Sequence, residues 1–190
     1  MKKLVVYYSY TGNTKKIADM IKSKLDCDIL ELEPLTPFSK DYDEVVNEYQ
    51  NNSIDNKEVP IKDINANLDD YDEIIIGTPV WWYTISPVVV TFLKENDLSN
   101  KTIYPFATNA GWLGKTFKDI EKLCPNSKIE KEMNIVFESY SDKLKITEKE
   151  LNDWINSIKW LKEKSQISNH FRRWWTNGWL WSKYFIILWH

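Results

Sequence analysis

The chain has 190 residues, of which 43% are hydrophobic, enough for one domain with a buried core but short for two. The net charge is −3. Residues 165–190 carry two Arg, one Lys and no acid, so residues 1–164 carry −6. The sequence has no basic stripe that could follow a phosphate backbone, which argues against nucleic acid as a partner. Two distant cysteines, Cys27 and Cys124, predict buried free thiols rather than a metal site or disulfides. The N-terminus shows no signal-peptide pattern, which favours the reducing cytoplasm.

Five apolar runs that end in turn residues are typical of strands buried on both faces of a sheet. They are Leu4–Tyr8, Asp28–Leu32, Glu73–Gly77, Thr102–Phe106 and Met133–Phe137. Helix-like segments alternate with these runs along the chain. The alternation predicts an α/β fold, a doubly wound parallel sheet of five strands.

The helix-like segments are recognised by apolar positions that share one face. These positions are Ile17, Met20, Ile21 and Leu25; Phe117, Ile120, Leu123 and Cys124; and Leu151, Trp154, Ile155, Ile158 and Leu161. Thr147 and Glu150 form a capping-box pattern that predicts the start of the last helix. Ser86 followed by Pro87 predicts the N-cap and first residue of another helix.

Two regions fall outside this alternation. Pro34–Leu68 is polar, with one helix predicted near Asp41–Gln50, and we expect it to cover the sheet without contributing chemistry. The predicted domain ends at residue 164, and residues 165–190 form a basic extension that holds five of the ten tryptophans. Charged and polar residues interrupt the extension, which argues against a membrane span. A contact with a membrane surface, a contact between oligomers, and an extension of foreign or frameshifted origin all stay open.

Three loops are expected to bind a ligand, because ligands of doubly wound sheets bind at the carboxyl ends of the strands. The first loop consists of Ser9, Tyr10, Thr11, Gly12, Asn13 and Thr14. The second consists of Thr78, Pro79, Val80, Trp81, Trp82, Tyr83 and Thr84. The third consists of Thr108, Asn109, Ala110, Gly111 and Trp112.

The first loop has the composition of a phosphate site. It offers three hydroxyls, an amide and a glycine where a strand turns into a helix with unpaired N–H groups, and it contains no Lys or Arg. The second loop offers three consecutive aromatic side chains, which suit a flat ring ligand. We expect one of Trp81 and Trp82 to lie in the core, and Trp82 and Tyr83 are the preferred stacking residues.

The sequence Ser9-Tyr10-Thr11-Gly12-Asn13-Thr14 resembles the Thr-x-Thr-Gly-x-Thr phosphate loop of the flavodoxin family, with Ser at the first place. Gly77-Thr78-Pro79-Val80-Trp81-Trp82 is similar to the Gly-Thr-Pro-x-Trp-Trp stretch of one flavodoxin-like subfamily, although Tyr83 stands where that family often has Gly. The resemblance covers about residues 1–164. It implies the strand order 2-1-3-4-5, FMN as the cofactor, aromatic residues flanking the flavin, and a third loop whose backbone donors approach the pyrimidine edge.

The resemblance also implies an electron-transfer protein that works with redox partners, a reductase and an acceptor enzyme. The acidic body and the apolar, aromatic walls predict a low-potential couple and basic partners. The alternative is an NAD(P)H-dependent FMN enzyme that reduces quinones or small molecules on the same fold. A third alternative is a non-redox receiver or binding module on the same sheet. A receiver domain needs acids after its first strand and Asp after its third, but this chain has Ser9-Tyr10 and Thr78-Pro79 there, which argues against it.

Overall fold

The computed structural model describes residues 1–50 and 58–159. The strands are β1 Lys3–Tyr7, β2 Asp28–Glu31, β3 Glu73–Trp81, β4 Thr84–Ile85, β5 Thr102–Asn109, β6 Lys128–Ile129 and β7 Met133–Val136. The helices are α1 Asn13–Lys24, α2 Tyr42–Tyr49, α3 Pro87–Glu95, α4 Thr116–Leu123 and α5, which comprises described residues 148–159. A short 3-10 helix spans Leu68–Asp70. Strands and helices thus alternate as the apolar pattern predicts.

The sheet has the order β2-β1-β3-β5-β6, and β7 also pairs with β5. The predicted order 2-1-3-4-5 is therefore confirmed, with β5 as the fourth strand and the fifth position divided between β6 and β7. β6 pairs with the first residues of β5, and β7 pairs with its last four. Between the two segments Lys131 has φ 52, a left-handed conformation that interrupts the strand.

The prediction that the third strand ends at Gly77 is wrong. β3 continues to Trp81 and turns back as β4, the one antiparallel strand among the described residues. Gly77 is a packing position rather than a terminator, because a Cβ there would lie 2.3 Å from the ring of Phe106. β5 likewise continues beyond its predicted end, to Asn109.

Helices cover the sheet on both faces, because successive strand residues point to opposite sides. Leu4 and Ile74 belong to the same buried cluster as the apolar residues of α3 and α4. On the other face, the ring of Phe106 packs edge-on against Trp154 of α5 at 6.1 Å. Burial on both faces explains why the strand sequences are almost continuously apolar.

The predicted helix starts are at the expected residues. At α5 the Thr147 N–H donates to the Glu150 carboxylate at 2.8 Å, and the Glu150 N–H donates to Oγ1 of Thr147 at 3.1 Å, which confirms the capping box. α3 has Ser86 at its N-cap and Pro87 at N1, but the Ser86 side chain makes no capping bond. Both cysteines are free; Cys124 is buried and Cys27 is half-buried.

Within the described residues, none of the helices combines the length and the apolar character that a bilayer crossing requires. The predicted tryptophan-rich extension, residues 165–190, lies outside the described residues.

Candidate functional site

The first loop lies at the start of α1 and is the candidate anion site. Gly12 is the N-cap residue and has φ 96, a conformation that favours glycine. Ser9 Oγ accepts hydrogen bonds from the N–H groups of Gly12 and Lys15, each at 3.2 Å. The first turn of α1 contains no acid and has no side-chain cap. Backbone donors and hydroxyls at a positive helix terminus fit a phosphate group.

The two lysines after this loop are engaged with other side chains. Lys15 Nζ donates to the Tyr7 hydroxyl and to a Glu31 carboxylate oxygen, both at 2.9 Å, and these partners raise the pKa of Lys15. Lys16 Nζ donates to Asp142 Oδ2 at 3.1 Å and to the Asp142 carbonyl at 2.9 Å. The anion site therefore consists of uncharged donors.

The first and third loops are joined by two buried hydroxyls. Thr14 Oγ1 lies 2.8 Å from Thr108 Oγ1 across the carboxyl ends of β1 and β5. Asn13 Nδ2 donates to the Ser141 carbonyl at 3.1 Å, which ties the first loop to the segment after β7. These contacts hold the first loop beside the last strands of the sheet.

The second loop is a tight hairpin rather than an open loop. Trp81 pairs with Thr84, so Trp82 and Tyr83 form a two-residue turn. Their φ angles are 46 and 67, as a type I′ turn requires, although that turn favours Asn and Gly. Each such residue costs of order 1–2 kcal/mol in backbone strain, so surrounding contacts must hold the turn in place.

Trp81 is the tryptophan that lies in the core, and it is 7% exposed. Its ring makes edge-on contacts with other aromatic rings, Tyr8, Tyr10, Phe38, Tyr49 and Trp82, at centroid distances of 4.9 to 6.3 Å. Trp82 is half-buried, and Tyr83 is 58% exposed. The expectation that one tryptophan packs inside while its neighbour faces a ligand is consistent with this arrangement.

The third loop stands opposite the hairpin. Asn109 Oδ1 accepts from the Gly111 N–H at 2.8 Å, and Asn109 Nδ2 donates to Asn134 Oδ1 at 2.6 Å. Trp112, which is 76% exposed, makes an edge-on contact with Tyr83 at 6.4 Å. The two aromatic side chains form an exposed rim above the loops.

Two adjoining cavities connect the three loops. The first, about 430 Å³, lies between the hairpin and the third loop. The second, about 600 Å³, begins at Tyr10, Thr11 and Asn13 of the first loop. They share a boundary formed by Tyr10, Val80, Trp81, Asn109 and Ala110. The two cavities therefore lie next to each other, one beside the first loop and one beside the aromatic rim.

Most predicted site residues line these cavities, but some lie elsewhere. Ser9 lines a third cavity on the β2 side. Thr78 is fully buried, and its hydroxyl accepts from the Ser86 N–H at 3.1 Å. Thr84 is buried and donates to a carboxylate of α4, Asp119. The last two hydroxyls thus stabilise the hairpin instead of facing the cavities.

Sequence reasoning missed two contributors to the site. Five residues after β7 line the second cavity: Phe137, Glu138, Tyr140, Ser141 and Asp142. The rule that loops at strand carboxyl ends bind ligands, applied to the fifth strand, would have found them. Val45 of α2 lines the first cavity, although its region was expected to contribute no chemistry.

A doubly wound sheet with an uncharged anion site and an aromatic-walled cavity at its carboxyl edge defines the flavodoxin-like class of α/β proteins. A family model described as "Flavodoxin" matches residues 2–158. The chain belongs to the flavodoxin family, as its loop sequences predict. No curated protein matches it significantly.

Solved structures agree with this assignment. A flavoprotein from Lactobacillus acidophilus, crystallised with FMN, is 26% identical, with TM-score 0.56, over 70% of this chain and 91% of its own. A candidate flavoprotein from Bacteroides eggerthii is 24% identical, with TM-score 0.63, over 83% and 98%. A Streptococcus pneumoniae flavodoxin shares the fold at 16% identity and TM-score 0.52, over 86% and 99%. The prediction of FMN as the cofactor agrees with the family and with the Lactobacillus complex.

Proposed function

We propose that this chain binds one FMN non-covalently and carries electrons between a reductase and an acceptor enzyme in the cytoplasm. The observation that carries the proposal is the pair of adjoining cavities, one beside the uncharged anion site and one beside the aromatic rim, which share five lining residues. FMN has a phosphate at one end and a flat tricyclic ring at the other, so its two chemistries match these two cavities.

The anion site would hold the phosphate. Backbone N–H groups at the start of α1 and the hydroxyl of Thr11 are its donors, and the helix terminus favours negative charge. Asn13 and Lys16, through Ser141 and Asp142, keep the segment after β7 against this loop. That segment would limit the access of water to the phosphate end.

The hairpin and the third loop would hold the ring. Trp82 and Tyr83 offer aromatic faces on one side, and the backbone of Ala110 and Gly111 lines the other. Stacking of this kind contributes about 0.5–1.5 kcal/mol per aromatic pair beyond the burial of area. FMN, when bound, supplies the one- and two-electron chemistry.

The walls of the ring end favour the oxidised ring. The cavity between the hairpin and the third loop is lined by apolar, aromatic and uncharged polar residues, and the two acids of the second cavity, Glu138 and Asp142, are each paired with a lysine. Apolar walls without a cation among the described lining residues disfavour an anionic reduced ring, which supports a low-potential couple. The acidic body supports basic redox partners that are steered electrostatically.

A second candidate is an NAD(P)H-dependent oxidoreductase. The observation that favours it is the exposure of Tyr83 and Trp112 at the rim, which leaves room for a nicotinamide or a small acceptor beside the ring. The two candidates share the cofactor and differ in how electrons reach it.

The test uses the purified full-length chain reconstituted with FMN and, separately, with riboflavin. We expect one FMN per chain, tighter than riboflavin, with absorption bands near those of free flavin. Anaerobic reduction should place the couple below that of free FMN, and NAD(P)H alone should reduce it slowly, whereas an added reductase should reduce it quickly. Rapid bleaching by NAD(P)H alone would favour the oxidoreductase. Failure to bind FMN would overturn both candidates.

A further inference from the structure

The Trp82-Tyr83 turn adopts a backbone that neither residue favours, so its shape depends on its neighbours. The N–H of Lys115 donates to the Tyr83 carbonyl at 2.8 Å. Gly114 lies so close that a Cβ on it would be 2.2 Å from the same carbonyl oxygen. The turn is therefore pressed against the end of the third loop.

A buried polar contact lies on the next residue of the hairpin. Thr84, 3% exposed, donates its hydroxyl to the carboxylate of Asp119, which is 6% exposed. Asp119 belongs to the first turn of α4, the helix that directly follows Gly114 and Lys115. Burying a carboxylate is costly unless it accepts hydrogen bonds, so this acid serves a specific contact.

We propose that Asp119 is a positioning residue for the flavin ring, holding the Trp82-Tyr83 turn through Thr84 at a fixed distance from the third loop. The role rests on the proposed function, because it concerns where the ring would lie. Asp119 itself lines neither cavity and acts only through the hairpin.

The geometry explains why one carboxylate can affect both walls of the cavity. The hairpin forms one wall, and the third loop, which leads into α4, forms the other. The contact between Thr84 and Asp119 and the bond from Lys115 to Tyr83 join these walls at two neighbouring points. Without the carboxylate, the turn can relax towards a more common backbone, and the spacing of the aromatic faces changes.

The test compares Asp119→Ala and Thr84→Val, which remove the contact, with Asp119→Asn, whose amide oxygen can still accept from Thr84. The matched control is Thr91→Val, which removes another buried threonine hydroxyl, on α3, that bonds to Val59 and, among the described bonds of the hydroxyl, makes no contact with α4. The measurements are the FMN dissociation constant, the visible circular dichroism of bound FMN, and amide exchange of Lys115 in the apoprotein.

We expect Asp119→Ala and Thr84→Val each to weaken FMN about tenfold, the size typical of one lost buried hydrogen bond, and to alter the flavin dichroism. The double variant should lose no more than either single one, because both act through one contact. Asp119→Asn should stay within about threefold of the wild type, as an acceptor oxygen is retained. Lys115 exchange should accelerate in the first two variants and stay unchanged in Thr91→Val.

Unchanged FMN affinity and dichroism in Asp119→Ala would overturn the proposal. Equal losses in Thr91→Val would also overturn it, since they would show a general effect of stability. If the wild type binds no FMN, the proposed function fails, and Lys115 exchange in the apoprotein still decides whether Asp119 holds the turn.

Discussion

The two ends of the site are built in different ways. The anion site is made from the six residues of the first loop and the first turn of α1, and its key contacts join Ser9 to Gly12 and to Lys15. The ring end is assembled from the hairpin, the third loop, α2 and α4, through contacts between residues about 30 or more positions apart, such as Thr84 with Asp119 and Tyr49 with Trp81. The backbone of the first loop is shaped by contacts within it, and Asn13 and Lys16 add ties to Ser141 and Asp142, whereas the ring end depends on tertiary packing throughout.

The largest expected effect is the loss of stability when Trp81 is replaced. We expect Trp81→Ala to lower the free energy of unfolding by about 3–5 kcal/mol, because it leaves a cavity among packed aromatic rings. Trp82→Ala should cost less than about 1.5 kcal/mol, since its side chain is half-buried, yet weaken FMN and riboflavin alike by up to about tenfold. Urea unfolding and flavin titration measure both. Equal losses of stability would show that Trp82 is also a core residue.

The next prediction distinguishes binding of the phosphate from binding of the ring. Thr11→Asp places a negative charge in the anion site, and we expect FMN affinity to fall about 100-fold, or about 2.7 kcal/mol, from charge repulsion. Riboflavin affinity should stay unchanged because riboflavin has no phosphate. Thr11→Asn is the control, because Asn has the size of Asp without its charge. Fluorescence titration measures the affinity of each variant for FMN and for riboflavin against the wild type. If riboflavin binding fell equally, the first loop would not be the phosphate site.

Two glycines with positive φ test how far each end depends on distant contacts. Gly114→Ala should lower the free energy of unfolding by about 2 kcal/mol, because the new Cβ meets the Tyr83 backbone. Gly12→Ala should cost about 1 kcal/mol, since its φ of +96 is strained for alanine but nothing lies within 4 Å of the new Cβ. Urea unfolding of the apoproteins measures both. A larger loss at Gly12 would contradict the view that the first loop is self-contained.

The same difference explains which parts of the site could be read from the sequence. The strand order and the capping box at Thr147 depend on hydrophobic patterns and on neighbouring residues, so they were predictable; the phosphate role of the first loop stays a prediction. The hairpin was not predictable, because Gly77 and Pro79 look like strand terminators in the sequence. Only the structure shows that Gly77 packs against Phe106 and that Pro79 pairs within the sheet with β5. Asp119 gives no sequence signal of its own, as its partner lies 35 residues away.

The smallest expected effect concerns charge at the phosphate end. Lys16 already donates to Asp142, so we expect Lys16→Met to weaken FMN less than about threefold, the range of an exposed ion pair. The hydrogen bond and the charge of Lys16 lower the pKa of Asp142. Because the folded pKa lies below the unfolded value of about 3.9, the pair stabilises the fold at neutral pH.

That contribution should disappear as the pH falls through the folded pKa of Asp142. The difference in melting temperature between the wild type and Lys16→Met should therefore be present at pH 7 and vanish in strong acid, with Asp142→Asn as the matched variant. A loss of FMN affinity near 100-fold in Lys16→Met would mean that the ammonium leaves Asp142 for the phosphate. The anion site would then include a charged side chain from the first turn of α1, and it would no longer consist of uncharged donors alone.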